Sequence, residues 1–213
     1  MSIDRAGVPF IAAALLVTLA AWWCGGARWS GAPLALALFF AFFFRDPERT
    51  IPSGVDLVLS PADGTVKAAG APTGERTPPG AWQQVTVFLS PLDVHINRMP
   101  VGGRVVKVDY RPGRFLAAYR REAGDLNELT EVWIDHDGTP IVVRQVVGIL
   151  ARRIVCRAKP GETYEAGQRF GLMKFGSRMD VFLPPSATLK VKPGDRVTGG
   201  VTVLATLAGR SGR

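Results

Sequence analysis

Residues 84–89 of this 213-residue chain read Gln-Val-Thr-Val-Phe-Leu. Alternation of polar and apolar side chains at period two is typical of a β-strand with one buried face. The same pattern recurs at residues 105–108, 131–134, 142–147 and 197–204. Gly-containing turn pairs lie between these stretches: Asp63-Gly64, Pro79-Gly80, Pro112-Gly113, Asp137-Gly138, Pro160-Gly161 and Pro193-Gly194. The pattern predicts an all-β fold with little helix, a compact flattened barrel or sandwich, whose one helix is a short segment at residues 115–122.

Two segments look like paired halves of one β unit. Residues 60–66 (SPADGTV) place an Asp-Gly turn before a strand, and residues 189–200 (LKVKPGDRVTGG) predict a hairpin around Pro193-Gly194. Together they resemble the flattened barrel of biotinyl and lipoyl carrier domains. A carrier presents its modified lysine in a tight turn, and this chain has no such turn.

The N-terminal end is apolar. Residues 6–27 and 29–44 carry no charged side chain, and Gly25, Gly26, Gly31 and Pro33 interrupt the join. About 20 apolar residues of helix cross the hydrocarbon core of a bilayer, so the second stretch is marginal for a full span. We predict a membrane-embedded helical hairpin over residues 1–44, followed by a β domain over residues 45–213.

The basic residues around the hairpin predict its orientation. Arg5, Arg45 and Arg49 flank the two ends, whereas Arg28 alone lies in the loop. The excess of basic residues at the ends favours a cell-membrane protein with its N-terminus and β domain on the cytoplasmic side.

The alternative to a retained hairpin is a signal peptide cleaved after residues 25–27, Gly-Gly-Ala. Cleavage there would leave LALALFFAFFF near an exposed terminus, so the retained hairpin is favoured. The only two cysteines, Cys24 and Cys156, are not expected to pair, which fits a reducing compartment.

The charge of +8 lies mostly beyond residue 44 and suggests work beside an anionic surface, either lipid or nucleic acid. The aromatic residues cluster in the apolar end and no nucleic-acid module is recognisable, so no nucleic-acid partner is predicted. Two isolated histidines without a cysteine pair predict no metal site. The chain also lacks a P-loop and a GxGxxG motif, and residues 175–179 lack the second glycine of a lipase elbow.

Three segments contain candidate functional residues. His136 lies in an Asp-His-Asp-Gly turn and is expected to be structural. His95 lies in SPLDVHINRMP (residues 90–100), where a loop histidine is either structural or catalytic. Gly176 and Ser177 lie in FGSRMD (residues 175–180), which taken alone is a turn.

The order of the motifs decides between these alternatives. An Ala-Asp-Gly turn at 62–64 precedes SPLDVHINRMP, Asn127-Glu128, FGSRMD and the Val-Lys-Pro-Gly-Asp hairpin. This order resembles phosphatidylserine decarboxylase in its short, single-domain bacterial form. The resemblance covers nearly the whole chain, including an apolar start closed by FFRDPER (residues 43–49).

The resemblance implies a pyruvoyl enzyme that matures by cutting itself between Gly176 and Ser177. Ser177 would attack the Gly176 carbonyl, and elimination and hydrolysis would then leave a pyruvoyl cofactor at the former Ser177. A β chain of residues 1–176 and an α chain of residues 177–213 would remain associated. His95 is expected to act as base and Asp63 to orient it, since a serine nucleophile needs an adjacent base.

The resemblance also implies the reaction. Phosphatidylserine would form a Schiff base with the pyruvoyl group and lose carbon dioxide, giving phosphatidylethanolamine without a metal. Arg178 is a candidate ligand for the phosphate or carboxylate of this substrate. The apolar hairpin and the basic domain suit an anionic membrane surface. The resemblance leaves open whether αβ units form a homodimer.

The chain departs from longer family members at two places. Those proteins carry two histidines three residues apart, whereas this chain has His95 and then Arg98. Either His95 serves both maturation and protonation of the product, or water or another group takes one role. Leu129 follows Glu128 where arginine is common, so no anion contact is expected there.

Two other functions remain as alternatives. A membrane anchor followed by a carrier-like barrel also describes the adaptor proteins of efflux pumps, but no heptad run supplies their coiled coil. A pyruvoyl decarboxylase of a soluble amino acid would leave the apolar hairpin without a role.

Overall fold

The computed structural model describes residues 1–54, 56–120, 122–149, 153–174 and 176–208. The chain divides into two compact units, Met1–Glu48 and Arg49–Arg213. The first unit contains β1 (Ser2–Ile3), α1 (Val8–Gly25), α2 (Ala27–Phe43) and β2 (Arg45–Asp46). The two helices of the predicted hairpin are therefore present.

Local chemistry explains the bounds of these helices. A proline stands in the first turn of α1, where its missing N–H costs nothing. Gly26, at φ +75°, joins the two helices in a conformation that favours glycine. Among the described residues, α1 is the one helix whose length and apolar composition would let it cross a membrane, and α2 is shorter. β1 pairs with β2, so the chain enters and leaves the helix pair at the same end.

The second unit is built almost entirely of strands. They are β3 (Leu57–Leu59), β4 (Gly64–Gly70), β5 (Gln83–Leu89), β6 (Ile96–Arg98), β7 (Gly103–Arg111), β8 (Leu129–His136), β9 (Thr139–Val147), β10 (Ile154–Cys156), β11 (Thr163–Tyr164), β12 (Arg169–Met173), β13 (Ser177–Leu183), β14 (Thr188–Leu189), β15 (Arg196–Val197) and β16 (Val203–Thr206). The β-rich class predicted from the sequence is confirmed.

An antiparallel eight-stranded sheet has the order β11-β7-β8-β9-β13-β5-β4-β15. Two three-stranded sheets, β10-β12-β6 and β14-β16-β3, accompany it. The core includes alternate residues of the large sheet together with Phe170 and Met173 of β12. β13 lies between β9 and β5, so both of its edges are hydrogen-bonded to neighbouring strands.

The two segments that look like halves of one β unit do pair. Val197 of β15 lies opposite Gly64 of β4, and the backbone N–H of Val66 donates to the Asp195 carbonyl at 2.9 Å. The alternation at residues 197–204, however, is not one strand. The N–H of Thr202 turns back onto the Thr198 carbonyl, so the segment is split between β15 and β16.

The helix predicted at residues 115–122 is wrong. Residues 115–120 form an extended segment and a turn, and the one helix in the described part of this unit is α3 (Ala123–Leu126). The side chain of Asn127 accepts from the Leu116 N–H at 2.9 Å and donates to the Leu116 carbonyl at 2.8 Å. These bonds occupy the backbone groups that a helix would use.

Candidate functional site

Ser177 is the first residue of the central strand β13. It lies opposite Leu89 of β5 and Val147 of β9, and it is fully buried. Its hydroxyl oxygen has no hydrogen-bond partner among the described residues. Most buried hydroxyls have a hydrogen-bond partner, so a buried hydroxyl without one calls for an explanation.

Gly176, which precedes it, has φ +70°. A Cβ at this position would meet no atom within 4 Å. The need for glycine is therefore conformational: the backbone occupies a left-handed region that other residues enter only with strain.

Gly148 supports the Gly176 carbonyl from the neighbouring strand, and sequence reasoning missed it. A Cβ on Gly148 would lie 2.2 Å from the carbonyl oxygen of Gly176 and 3.3 Å from the Cβ of Ala118. Only glycine leaves room for that carbonyl in its present place. A glycine at the end of a β-strand gives no sequence signal for this role.

His95 contacts Gly176 at its backbone nitrogen. Its ring is buried, with Nδ1 2.9 Å from the Asp93 carbonyl and Nε2 3.3 Å from the backbone nitrogen of Gly176. The carbonyl can only accept and the amide can only donate. These partners assign the proton to Nδ1, and the lone pair of Nε2 accepts the Gly176 N–H, one residue before the scissile bond.

The loop that carries His95 is fixed by a second residue that sequence reasoning missed. Asp93 accepts the Ser90 N–H at 2.7 Å and an Arg196 side-chain N–H at 2.6 Å. The hydrogen bond to Asp93 raises the pKa of the Arg196 guanidinium. The late Val-Lys-Pro-Gly-Asp hairpin thereby braces the segment that positions the histidine.

Asp63, predicted to orient His95, has two identified partners. Its carboxylate accepts from the side chain of Arg49 at 2.8 Å and from the backbone N–H of Gly199 at 2.7 Å. The contact that defines the His95 tautomer comes from Asp93. The orienting role of Asp63 stays a prediction.

Arg178 points to the face of the sheet opposite Ser177, because successive strand residues alternate. It is 5% exposed, and its Nε donates to Asp180 Oδ1 at 2.7 Å. Thr86 donates to the same oxygen at 2.7 Å. Arg178 also lines a cleft on this face.

Asn127 and Glu128 flank the site. The buried Asn127 amide donates to the Val147 carbonyl at 2.8 Å and so secures the end of β9 beside Ser177. Burial raises the pKa of the Glu128 carboxyl, and a backbone hydrogen bond from Ile154 opposes the shift.

His136 lies at the opposite end of β9 from Ser177. It pairs with Thr139 across the Asp137-Gly138 turn, and its Nδ1 is 2.6 Å from the Gly102 carbonyl. The structure therefore brings His95, but not His136, to the backbone nitrogen of Gly176. In the described part of the chain, no three His, Cys, Asp or Glu residues are grouped so that they could hold a metal ion.

This arrangement suits self-cleavage of the backbone. A buried hydroxyl that has no partner among the described residues follows a glycine in a left-handed conformation, and a histidine nitrogen accepts that glycine's N–H. An intramolecular acyl shift requires a hydroxyl nucleophile and a nearby base, and a glycine in an uncommon backbone conformation is compatible with it.

The chain is also similar to known proteins. The phosphatidylserine decarboxylase family matches residues 36–205. The chain is 39% identical to a protein from Solibacter usitatus named phosphatidylserine decarboxylase proenzyme, over 96% of this chain and 97% of that protein.

Proteins of the same name from two other bacteria are also similar. Identity to the protein from Symbiobacterium thermophilum is 45%, over 96% of this chain and 95% of that protein. Identity to the protein from Gluconacetobacter diazotrophicus is 47%, over 85% and 83%. The resemblance seen in the motifs is thereby confirmed, and the chain belongs to the phosphatidylserine decarboxylase family.

Proposed function

We propose that this chain is a self-processing decarboxylase that converts phosphatidylserine to phosphatidylethanolamine and carbon dioxide. Its pyruvoyl group would derive from Ser177 by cleavage after Gly176. The observation that carries the proposal is the Ser177 hydroxyl beside Gly176, which has no partner in the described part of the chain, with His95 Nε2 at 3.3 Å from the Gly176 nitrogen.

Maturation uses only groups of this chain and water. Ser177 Oγ attacks the Gly176 carbonyl carbon, and the peptide C–N bond breaks as an ester forms. The hydroxyl proton passes by way of His95 Nε2 to the released amine. Loss of the Cα proton of residue 177 expels the Gly176 carboxylate and leaves dehydroalanine. Water then replaces its nitrogen, which departs as ammonia.

The residues around Ser177 fit the group that results. When formed, a pyruvoyl group supplies a carbonyl that accepts the electron pair released with carbon dioxide. Residue 177 is buried in the uncleaved chain, so the group would form inside the domain. His95 Nε2, after taking up a proton from solvent, can then deliver it to the carbon that lost the carboxylate.

Arg98 occupies the place of the second histidine of longer family members. It is 7% exposed, and one of its terminal nitrogens donates to the Gly167 carbonyl at 3.1 Å. An arginine does not give up its proton in proteins. Its observed contact is structural. This favours His95 both as the base of self-cleavage and as the proton donor after decarboxylation.

Asp63 and Arg178 have supporting roles in this proposal. Asp63 holds the Ala-Asp-Gly turn against Gly199 and contributes negative charge near the catalytic loop. Arg178 attracts the anionic headgroup from the cleft that it lines. The α and β chains would stay associated through β13, and a homodimer of αβ units is compatible with this arrangement.

The helix pair gives the enzyme its location. We infer that the hairpin holds the catalytic domain at the cell membrane on the cytoplasmic side. Support comes from the apolar composition of α1 and from the basic residues at the hairpin's ends. A lipid substrate stays in the bilayer, so a tethered site meets it without extracting it.

One test concerns substrate and cofactor together. Purified protein, incubated with phosphatidylserine and then with cyanoborohydride, should give a mass adduct on the α chain. It should also release carbon dioxide from carboxyl-labelled substrate. Free serine should give neither result. Decarboxylation of serine but not of its phospholipid would establish the soluble-amino-acid alternative instead.

Gly148→Ala should slow self-cleavage by roughly a hundredfold, since displacing a reacting carbonyl by about 1 Å has that effect. The added methyl would otherwise overlap the Gly176 oxygen. The measurement is the fraction of cleaved chain against time, by denaturing electrophoresis. Gly161→Ala is a control, since a Cβ there meets no atom within 4 Å although φ is +90°. Cleavage at the wild-type rate in Gly148→Ala would contradict the supporting role.

A variant that begins at Arg49 should still cleave itself. It keeps the whole second unit, including the ion pair of Arg49 with Asp63. We expect it to decarboxylate short-chain phosphatidylserine but to lose most activity on vesicles. Its residual vesicle activity should fall with added salt, because charge alone would then hold it to the surface. Equal vesicle activity of both forms at every salt concentration would rule out substrate access as the hairpin's role.

A further inference from the structure

The face of the large sheet that carries Arg178 also carries a cleft of about 360 Å³. Its lining includes two cationic side chains, Lys67 and Arg178, and two aromatic ones, Phe88 and Tyr119. No Asp or Glu is among its described lining residues. The cleft therefore favours an anion with some apolar surface.

Lys67 provides the charge at the mouth of the cleft. Its side chain is exposed, and the ammonium lies 5.7 Å from the centre of the Phe88 ring. The Phe88 ring in turn meets Tyr119 edge to face at 6.1 Å. Because Asp180 offsets part of the charge of Arg178, Lys67 supplies most of the attraction for an incoming anion.

An adjoining cleft shows the opposite charge. It has a volume of about 450 Å³, shares Thr73 with the first, and is lined by Glu75, Glu122 and Asp125. Its carboxylates would repel a phosphate. Of the two clefts, only the one with Lys67 and Arg178 suits an anionic ligand.

The cationic cleft is lined by the residue that follows the reacting carbon along the strand. Phe88 is the cross-strand partner of Arg178, and the next pair along the strands is Leu89 with Ser177. Ala118, which also lines the cleft, is the side chain nearest to Gly148 beside the Gly176 carbonyl. The carbon that would become the keto carbon is the backbone Cα of Ser177, bonded directly to the peptide of Arg178.

The headgroup of phosphatidylserine offers two anions, and the chemistry separates them. A cation paired with the carboxylate would stabilise the ground state and oppose loss of carbon dioxide. A cation paired with the phosphodiester affects substrate and transition state alike, because that charge does not change. The phosphodiester is also only a few bonds from the reacting amine.

We propose, on the basis of the function proposed above, that this cleft binds the phosphodiester of the headgroup. Lys67 makes the main contact with the phosphodiester, and Arg178 adds a second positive charge to the lining of the cleft. The product keeps its phosphodiester, so product and substrate share this site. The carboxylate would then lie away from both cations.

The test uses full-length Ser177→Ala protein, which cannot form the cofactor, and glycerophosphoethanolamine, which carries the phosphodiester but no carboxylate. Binding is followed by ligand-observed NMR. Adding Lys67→Ala should weaken binding about fivefold, as expected for loss of one exposed charge contact. Lys67→Arg should restore it. Lys107→Ala is the matched control, since it removes an exposed lysine that pairs with Asp109 on β7.

The same substitutions in the active chain give a second readout. Lys67→Ala should raise KM for short-chain phosphatidylserine by a similar factor, with kcat and self-cleavage unchanged. Unaltered binding of glycerophosphoethanolamine by Lys67→Ala would overturn the phosphodiester site. If KM for phosphatidylserine nevertheless rose, the lysine would instead hold the carboxylate, and the phosphodiester site would still be overturned. Weakened binding in a protein that decarboxylates nothing would support the site and refute the proposed function.

Discussion

Ser177→Ala should remain one full-length chain without decarboxylase activity, whereas the wild-type protein should separate under denaturing conditions into two. The expected fragments are residues 1–176 and residues 177–213, the second with a pyruvoyl group in place of a free amino terminus. The alanine variant lacks the oxygen that attacks Gly176, so no later step can follow. Intact-mass spectrometry of both proteins measures this directly.

A measurement of stability distinguishes this result from loss of the fold. The Ser177 hydroxyl is buried without a hydrogen-bond partner, so its removal deletes no identified contact. An unsatisfied buried hydroxyl carries a desolvation cost of about 1–3 kcal/mol, which alanine would relieve. The Tm of Ser177→Ala should therefore equal or exceed that of an uncleaved wild-type precursor. A wild-type sample that is active yet entirely uncut would refute the pyruvoyl proposal.

His95→Ala should slow self-cleavage by roughly a hundredfold or more, the usual contribution of a positioned general base. The reason is the Nε2 lone pair that faces the Gly176 amide at 3.3 Å. The measurement is the time course of cleavage after synthesis in a cell-free system. Asp63→Asn should slow cleavage less, because its contacts with Arg49 and Gly199 act on the surroundings of the base.

His136→Ala is the matched control for this experiment. It removes the only other histidine of the chain, from the far end of β9, and it should cleave at the wild-type rate. If His95→Ala matured normally, another base would have to act on Ser177. Addition of imidazole to the His95→Ala protein should restore part of the rate if the ring's only role is proton transfer.

The sequence predicts those features of the fold that depend on residues close together in the chain. Period-two alternation identifies β5, β7, β8 and β9, since a strand's two faces are specified residue by residue. Prediction from nearby residues is wrong at residues 115–122, where a helix is expected. There the decisive contact comes from the side chain of Asn127, eleven residues beyond Leu116.

The residues of the candidate site also fall into those that the sequence predicts and those that only the fold reveals. The motifs point to His95, Gly176 and Ser177, but their meeting depends on strand register, which places residues 81 positions apart within hydrogen-bond distance. Gly148 and the Asp93–Arg196 pair have no motif of their own. Their importance follows from contacts across the sheet and across 103 residues of chain.

The central place of β13 changes the molecularity of folding. The proposed α chain contributes β13 between β9 and β5, β15 beside β4, and β16 beside β3. Before cleavage the domain folds as one chain, at a rate independent of concentration. After cleavage, reassembly is second order, so apparent stability rises with protein concentration. The denatured mature enzyme would also lack the serine from which to make its cofactor again. Each molecule must therefore complete its sheet before it cuts itself, and fragments expressed separately should give at most an inactive complex.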